Sequence, residues 1–288
     1  MAPMSLPRRW KSRSRTSVNS VDNRRPNTDE VKLSHRLFVF LSLCLGIFLV
    51  ACSASTPPVV KIGLVAPFEG RYRPIGYEAV YAARLAIREI NARGGINGRR
   101  IELVALDDRG EPDTALSAAR QLVLDPQVVA VIGHLRPDTT DAAMRIYCEA
   151  GLPVIAVESA GNACQGAYRL GTAPRKEWLE DQLIFVSNVP EPGSLSAGQD
   201  FAKRYNAIPI DGTHAGPIAL QTYDALNLLF RALAEAGTID RGGVQSALRQ
   251  IDFTGLGARY AFDQQGNLIE PQTYVFEYDK DRQPHLIP

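Results

Sequence analysis

The chain of 288 residues is poor in the residues that most often carry metal or redox chemistry, with four cysteines, four histidines, three methionines and two tryptophans. The cysteines, Cys44, Cys52, Cys148 and Cys164, include no C-x-x-C pair, so a zinc site lacks its usual ligand spacing. His134, His214 and His285 stand far apart with no neighbouring nucleophile pattern, and there is no G-x-S-x-G. The G-x-G-x-x-G loop that lets backbone approach a pyrophosphate is missing too. After the first apolar strand comes Pro67-Phe68-Glu69-Gly70-Arg71-Tyr72 instead. A hydrolase, a metalloenzyme and a nucleotide-cofactor enzyme are each disfavoured, and no cofactor is expected.

An excess of one charge is also lacking, with 32 Lys and Arg against 31 Asp and Glu. Residues 1–36 hold nine basic groups against three acids, and the rest holds 23 against 28. The basic surplus is confined to the leader, which argues against nucleic-acid binding by the folded part.

A hydrophobic content of 45% over this length can bury a sizeable core. Val59 to Gly133 alternates strand and helix patterns at the pace of βαβ units. Val59 to Ala66 is a near-continuous apolar run, as in a parallel strand covered on both faces. Pro67 to Gly76 reads as a loop. Tyr77 to Ala92 spaces Val80, Ala83, Ile87 and Ile90 on one helical stripe, and Gly94-Gly95 ends it. Ile101 to Leu106 is a second strand with Asp107-Asp108 at its carboxyl end. Asp113 is a candidate cap for a helix that stops at Asp125-Pro126, and Val128 to Ile132 is a third buried strand. The predicted class is α/β, a parallel sheet covered by helices on both faces.

Three segments carry a specific resemblance. Ile62 to Pro67, Ala86 to Gly98 with its Asn-x-x-Gly-Gly-Ile-x-Gly core, and Val131 to Leu135 resemble the first lobe of the leucine/isoleucine/valine-binding family. These are type I periplasmic solute-binding proteins that serve ABC importers. The resemblance implies a binding protein, not an enzyme, with a small polar, amino-acid-like solute and importer membrane subunits as partners.

The amino terminus fits that reading. Leu37 to Val50 is 14 uncharged residues after Lys32 and Arg36, too short to span a bilayer and suited to a signal-peptide core. It runs into Leu49-Val50-Ala51-Cys52, which resembles a bacterial lipobox and makes Cys52 the lipidation candidate. Two or more acyl chains would hold the protein stably on a membrane. Residues 1–52 are therefore read as a basic leader and lipoprotein signal, and 53–58 as a tether. For an exported chain, Cys148 and Cys164 form either a disulfide or two separate thiols.

Ligands of open parallel sheets bind beyond the carboxyl ends of the strands, so three loops matter. In the first, the resemblance carries Tyr72 over as aromatic packing at the cleft mouth. In the second, His134 to Thr140, relatives hold a ligand carboxylate with small hydroxyl residues and a helix amino terminus, which maps to Thr139 and Thr140. Pro137 departs from the expected serine, and Arg136 is the candidate to supply the lost anion contact. In the third, Ser159 is the nearest hydroxyl, and Glu158 either meets a ligand amine or pairs with Arg136.

Residues 59–174 are read as the first lobe. The stretch 175–212 is read as a remnant of the second lobe with its crossover, holding one strand ending near Val186 and a helix over Leu195 to Tyr205. A long helix within 213–240 returns to cover the first lobe, and 241–288 supplies a last helix and a hairpin of Tyr260 to Phe262 with Tyr274 to Tyr278. At roughly 30 residues per βαβ unit, the second lobe is shorter than the family's by on the order of a hundred residues. A degenerate or truncated copy acting as a non-transport sensor or interaction lipoprotein is the alternative function.

Overall fold

Val59–Ala66 forms β1, an interior strand of a five-stranded parallel sheet, and its side chains are needed on both faces at once. Ile62 and Leu64 point to one layer of helices and Val65 to the other, all fully buried. The computed structural model describes residues 38–40, 57–157, 164–171, 175–179, 182–208, 214–278 and 284–287. The chain divides into two units, 1–56 and 57–288, and of the first only Phe38 to Phe40, in helix, is described. Cys52, most of the proposed tether, Glu158 and Ser159 lie outside the described residues.

The sheet order is β2-β1-β3-β4-β5, with β2 Arg100–Asp107, β3 Val128–Gly133, β4 Val154–Ala156 and β5 Ala167–Arg169. One face is covered by α1 (Arg73–Ala92) and α5 (Pro217–Glu235), the other by α2 (Pro112–Leu124) and α3 (Pro137–Glu149). Each fully buried Leu or Ile in these layers contributes roughly 2 kcal/mol from removal of apolar surface. Gly63 lies under α2, where an added Cβ would stand 2.8 Å from Leu122 Cδ1. The Asn-x-x-Gly-Gly segment has a mechanical explanation. Asn91 Nδ2 donates to the Ile101 carbonyl at 2.8 Å and its Oδ1 accepts the Ile101 N–H at 2.9 Å, tying the end of α1 to β2. Gly95 has φ +76°, and a Cβ there would fall 1.9 Å from the Arg99 carbonyl oxygen.

Several boundaries differ from the expected ones. α1 begins at Arg73 rather than Tyr77, since Pro74 sits in the first turn, where a missing N–H costs no hydrogen bond. Gly76, read as loop, is a close-packing residue whose Cβ would lie 2.0 Å from the Pro67 carbonyl oxygen. Glu111, not Asp113, occupies the N-cap of α2, with Pro112 beginning the helix and Asp113 in the first turn, where a carboxylate favours the dipole. The helix expected from about Thr139 starts at Pro137.

A second sheet is antiparallel, in the order β11-β10-β7-β6. The single strand expected near Val186 is a pair, β6 Arg175–Leu179 and β7 Gln182–Ser187, because Glu180-Asp181 interrupts the apolar pattern. The expected last hairpin is corrected as well. β9 (Arg259–Ala261) pairs with β8 (Asp252–Thr254), while β10 (Tyr274–Tyr278) pairs with β7 and with β11 (Pro284–Ile287). Two short helices, α4 (Ser196–Asn206) and α6 (Arg241–Leu248), and a 3-10 turn at Pro192–Ser194 complete the described elements. Among the described residues, no helix is long and apolar enough to cross a membrane.

Candidate functional site

The strand order reverses direction between β1 and β3, since the chain leaves β1 towards β2 and leaves β3 towards β4. In open α/β sheets this switch point opens a crevice beyond the strand ends, and the loops after β1, β2 and β3 meet there. Asp107 ties the first two loops together. Its Oδ1 accepts N–H groups from Phe68 at 2.7 Å and from Arg109 at 2.9 Å. Arg109 and Gly110 both take left-handed backbone, with φ of 53° and 69°, which turns the β2 loop back towards Tyr72. A Cβ on Gly110 would meet the Tyr72 ring at 2.6 Å and Arg136 Cδ at 3.3 Å. Only glycine lets these three loops close on one another.

The Tyr72 ring carries two guanidinium groups. Arg136 Cζ lies 3.7 Å from its centroid and Arg71 Cζ 4.4 Å. Such a contact contributes on the order of 1 kcal/mol, more when shielded from water. Arg136 Nη2 also donates to Asp138 Oδ2 at 2.7 Å, and Asp138 Oδ1 accepts the Thr139 N–H at 3.0 Å. Burial opposes the Asp138 charge, but these donors outweigh it and hold its carboxyl below the usual range. A cavity of about 590 Å³ beside the stack is lined by Glu69, Arg71, Tyr72, Arg109 and Glu111. Arg109 is paired with Glu69 at 2.9 Å and reaches Asp107 at 3.7 Å.

Of the residues expected from the sequence, Tyr72 and Arg136 are brought into direct contact. Thr139 and Thr140 lie on the same helix start but are buried. The Thr139 hydroxyl is 3.2 Å from the Arg136 carbonyl, and Thr140 Oγ1 is 2.7 Å from that carbonyl and 3.2 Å from the carbonyl of His134. Both hydroxyls therefore brace the loop in this structure. Cys148, in the last turn of α3, forms a disulfide with Cys164, with Cα atoms 6.1 Å apart.

A buried polar chain escaped the sequence reading. His134 Nδ1 is 2.7 Å from Asp108 Oδ2, and His134 Nε2 is 3.1 Å from the Tyr147 hydroxyl. The only sequence signal was that Asp108 and His134 both follow strand ends. A second cavity, about 580 Å³, lies away from the strand ends between the end of α1, α5 and the β8 turn. Its buried Asp224 is committed to the Leu256 and Gly257 N–H groups and the Tyr260 hydroxyl, so it reads as a structural cleft.

A parallel α/β lobe with loops gathered at its switch point is the architecture of a type I solute-binding protein. Comparison with known proteins gives the family. The periplasmic binding protein model matches residues 59–175 and 172–283, and the chain belongs to that family. An amino acid binding protein of Pseudomonas aeruginosa is 40% identical over 96 residues, 33% of this chain and 26% of that protein. The leucine-, isoleucine-, valine-, threonine-, and alanine-binding protein of the same organism is 33% identical over 174 residues, 59% of this chain and 41% of that one. The chain thus spans between about a quarter and two fifths of these curated relatives. In fold, it is similar to an ABC transporter substrate-binding protein of Desulfitobacterium hafniense solved with Leu, with a TM-score of 0.68, 17% identity, and coverage of 80% of this chain and 100% of that one. Each of these three proteins is named as a binding protein.

Proposed function

We propose that the protein is the extracytoplasmic, lipid-anchored solute-binding component of an ABC importer, taking an amino acid or a related small polar solute. The observation that carries the reading is the convergence of Tyr72, Arg136 and Gly110 from three strand-end loops at the switch point. Membership of the periplasmic binding protein family, and relatives named for amino-acid binding, support the solute class. In this reading Tyr72 and Arg136 meet the solute, Thr139 and Thr140 shape the loop beneath it, and Glu158 and Ser159 close the third side.

The anchor rests on Leu49-Val50-Ala51-Cys52, with Cys52 as the acylated residue. The first lobe would span 59–174 and a shortened second lobe would lie within 175–212. Two matched segments that meet at 172–175 support that division. Importer membrane subunits are the proposed partners.

The test is thermal unfolding of the purified chain against the twenty standard amino acids and their amides, one at a time. Any compound that binds the native state must raise Tm in a concentration-dependent way. A rise for one chemical group of compounds supports the reading, and none at millimolar concentration overturns it. Radiolabelled palmitate incorporation that is lost on Cys52→Ala tests the anchor.

A further inference from the structure

We propose that His134 is a positioning residue for the solute site, clamping the β2 and β3 loops together across the end of β1 so that Tyr72 and Arg136 are held in register. This rests on the solute-binding reading above. Asp108 and His134 leave strands on either side of β1, and both side chains have no exposed surface. Their 2.7 Å contact therefore bridges the carboxyl end of β1, where Asp108 N–H also donates to the Ala66 carbonyl at 3.1 Å.

Both ends of the bridge reach the site within two residues. Asp108 Oδ1 accepts the Gly110 N–H at 2.9 Å, and Gly110 is the residue on which Tyr72 and Arg136 rest. The His134 carbonyl receives the Thr140 hydroxyl, and two residues on is Arg136 itself. A buried carboxylate needs a donor, which assigns the Nδ1 proton of His134 to Asp108. The Tyr147 phenol, pushed up by burial and by the Asp108 charge, stays protonated and lies 3.1 Å from Nε2 on the other side of the ring. Packing alone would not call for this arrangement, since an apolar side chain of similar shape would fill the space without a charge to satisfy.

The test compares the full chain with His134→Asn, His134→Phe, Asp108→Asn and Tyr147→Phe. Asparagine keeps a donor where Nδ1 stands, and phenylalanine does not. Affinity is measured calorimetrically with L-leucine as the probe, and amide hydrogen exchange is followed over 108–111 and 134–140. His134→Phe is expected to weaken L-leucine binding by about tenfold or more, as removal of a buried charged hydrogen bond does, and to speed exchange in both loops but not in β1. His134→Asn should stay within about threefold of the parent, and Tyr147→Phe should lower Tm with little change in affinity. Unchanged affinity in His134→Phe, or faster exchange spread over the whole sheet, overturns the proposal. If His134→Phe does not fold, Asp108→Asn must show the same paired loss, and normal binding by that variant overturns the proposal equally. If the parent chain does not bind L-leucine, the same variants are titrated with whichever of the twenty amino acids or their amides raises its Tm most, and a parent that responds to none of them brings down the solute-binding reading and this proposal with it.

Discussion

Glu78 on α1 caps α5 from across the fold, its Oε1 accepting the Ala219 N–H at 2.8 Å over a separation of 141 residues. The Tyr205 hydroxyl donates to the Glu78 backbone carbonyl at 3.0 Å, so α4, α1 and α5 are joined at one point. Burial raises the carboxyl from 4.5 to about 7, partly offset by the Ala219 N–H and reinforced by the nearby Glu191 charge.

The sign follows from proton uptake. Between pH 4.5 and about 7 the native state binds a proton at Glu78 that the unfolded chain has released, so this group's contribution falls as pH rises through that window. Glu78→Gln keeps an acceptor for Ala219 and removes the titration. Relative to the parent, it should gain on the order of 1–3 kcal/mol between pH 5 and pH 7.5 in urea unfolding, the residue being half-buried. Parallel pH profiles for the two proteins would show that Glu78 is already ionised and fully compensated.

Arg241, the first residue of α6, ties together segments around the amino end of β3. Its guanidinium donates to the carbonyls of Val128 at 3.1 Å, Ala150 at 3.4 Å, Val123 at 3.0 Å and Asp125 at 2.9 Å. Those acceptors end α2, begin β3 and follow α3, so one planar fork satisfies carbonyls of three segments. Lysine has the charge but not the fork. Arg241→Lys should therefore destabilise by about 2 kcal/mol, and Arg241→Ala by about 3, read as a shift of the urea midpoint at constant slope. A loss below about 0.5 kcal/mol for alanine would mean that water replaces the guanidinium at no cost.

Much of this was legible in the sequence, and what was not has physical causes. The runs Val59–Ala66 and Val128–Gly133 announced buried parallel strands, since nothing but burial on both faces explains eight and six nearly unbroken apolar residues. The Asn91 to Gly98 segment was legible because the hydrogen bonds that shape it are local, the two from Asn91 reaching only ten residues on to Ile101. Glu78, Arg241 and His134 were not, because each is a lone polar residue whose side-chain partners lie 13 to 141 residues away. The pairing of Tyr274–Tyr278 with β7 was missed for a different reason. Alternation tells which face of a strand is buried and says nothing about which strand lies beside it. At the candidate site, the residue types in the strand-end loops could be named, but the bracing role of Thr139 and Thr140 depends on which way their hydroxyls turn.

The Cys148–Cys164 disulfide closes a loop that contains β4 and residues Glu158 and Ser159. Its two ends are 16 residues apart, for which the chain-entropy model gives about 3 kcal/mol. Dithiothreitol should lower Tm of the parent chain and leave a Cys148→Ala, Cys164→Ala double variant unchanged. If Glu158 and Ser159 contribute to solute binding, reduction should also weaken affinity at a temperature where the protein remains folded. Free-thiol labelling of both cysteines in protein purified from the oxidising side of the membrane would refute the bond.

The stack of Arg136 on Tyr72 separates two roles that one substitution would confuse. Tyr72 is half-buried and sits in a loop, so Tyr72→Ala should change Tm little while removing the surface against which Arg136 is fixed. Tyr72→Phe retains the ring face and should bind solute as the parent does. Arg136→Lys keeps the charge but loses the flat contact and the directed pair with Asp138, and it should fall between parent and Tyr72→Ala. A cation–π contact of 0.5–2 kcal/mol corresponds to roughly 2- to 30-fold in affinity, within reach of titration calorimetry. The ordering parent, Tyr72→Phe, Arg136→Lys, Tyr72→Ala is the expected result. Should Tyr72→Ala bind as tightly as the parent, the solute does not touch this stack, and the search for its site moves to the loop after β4.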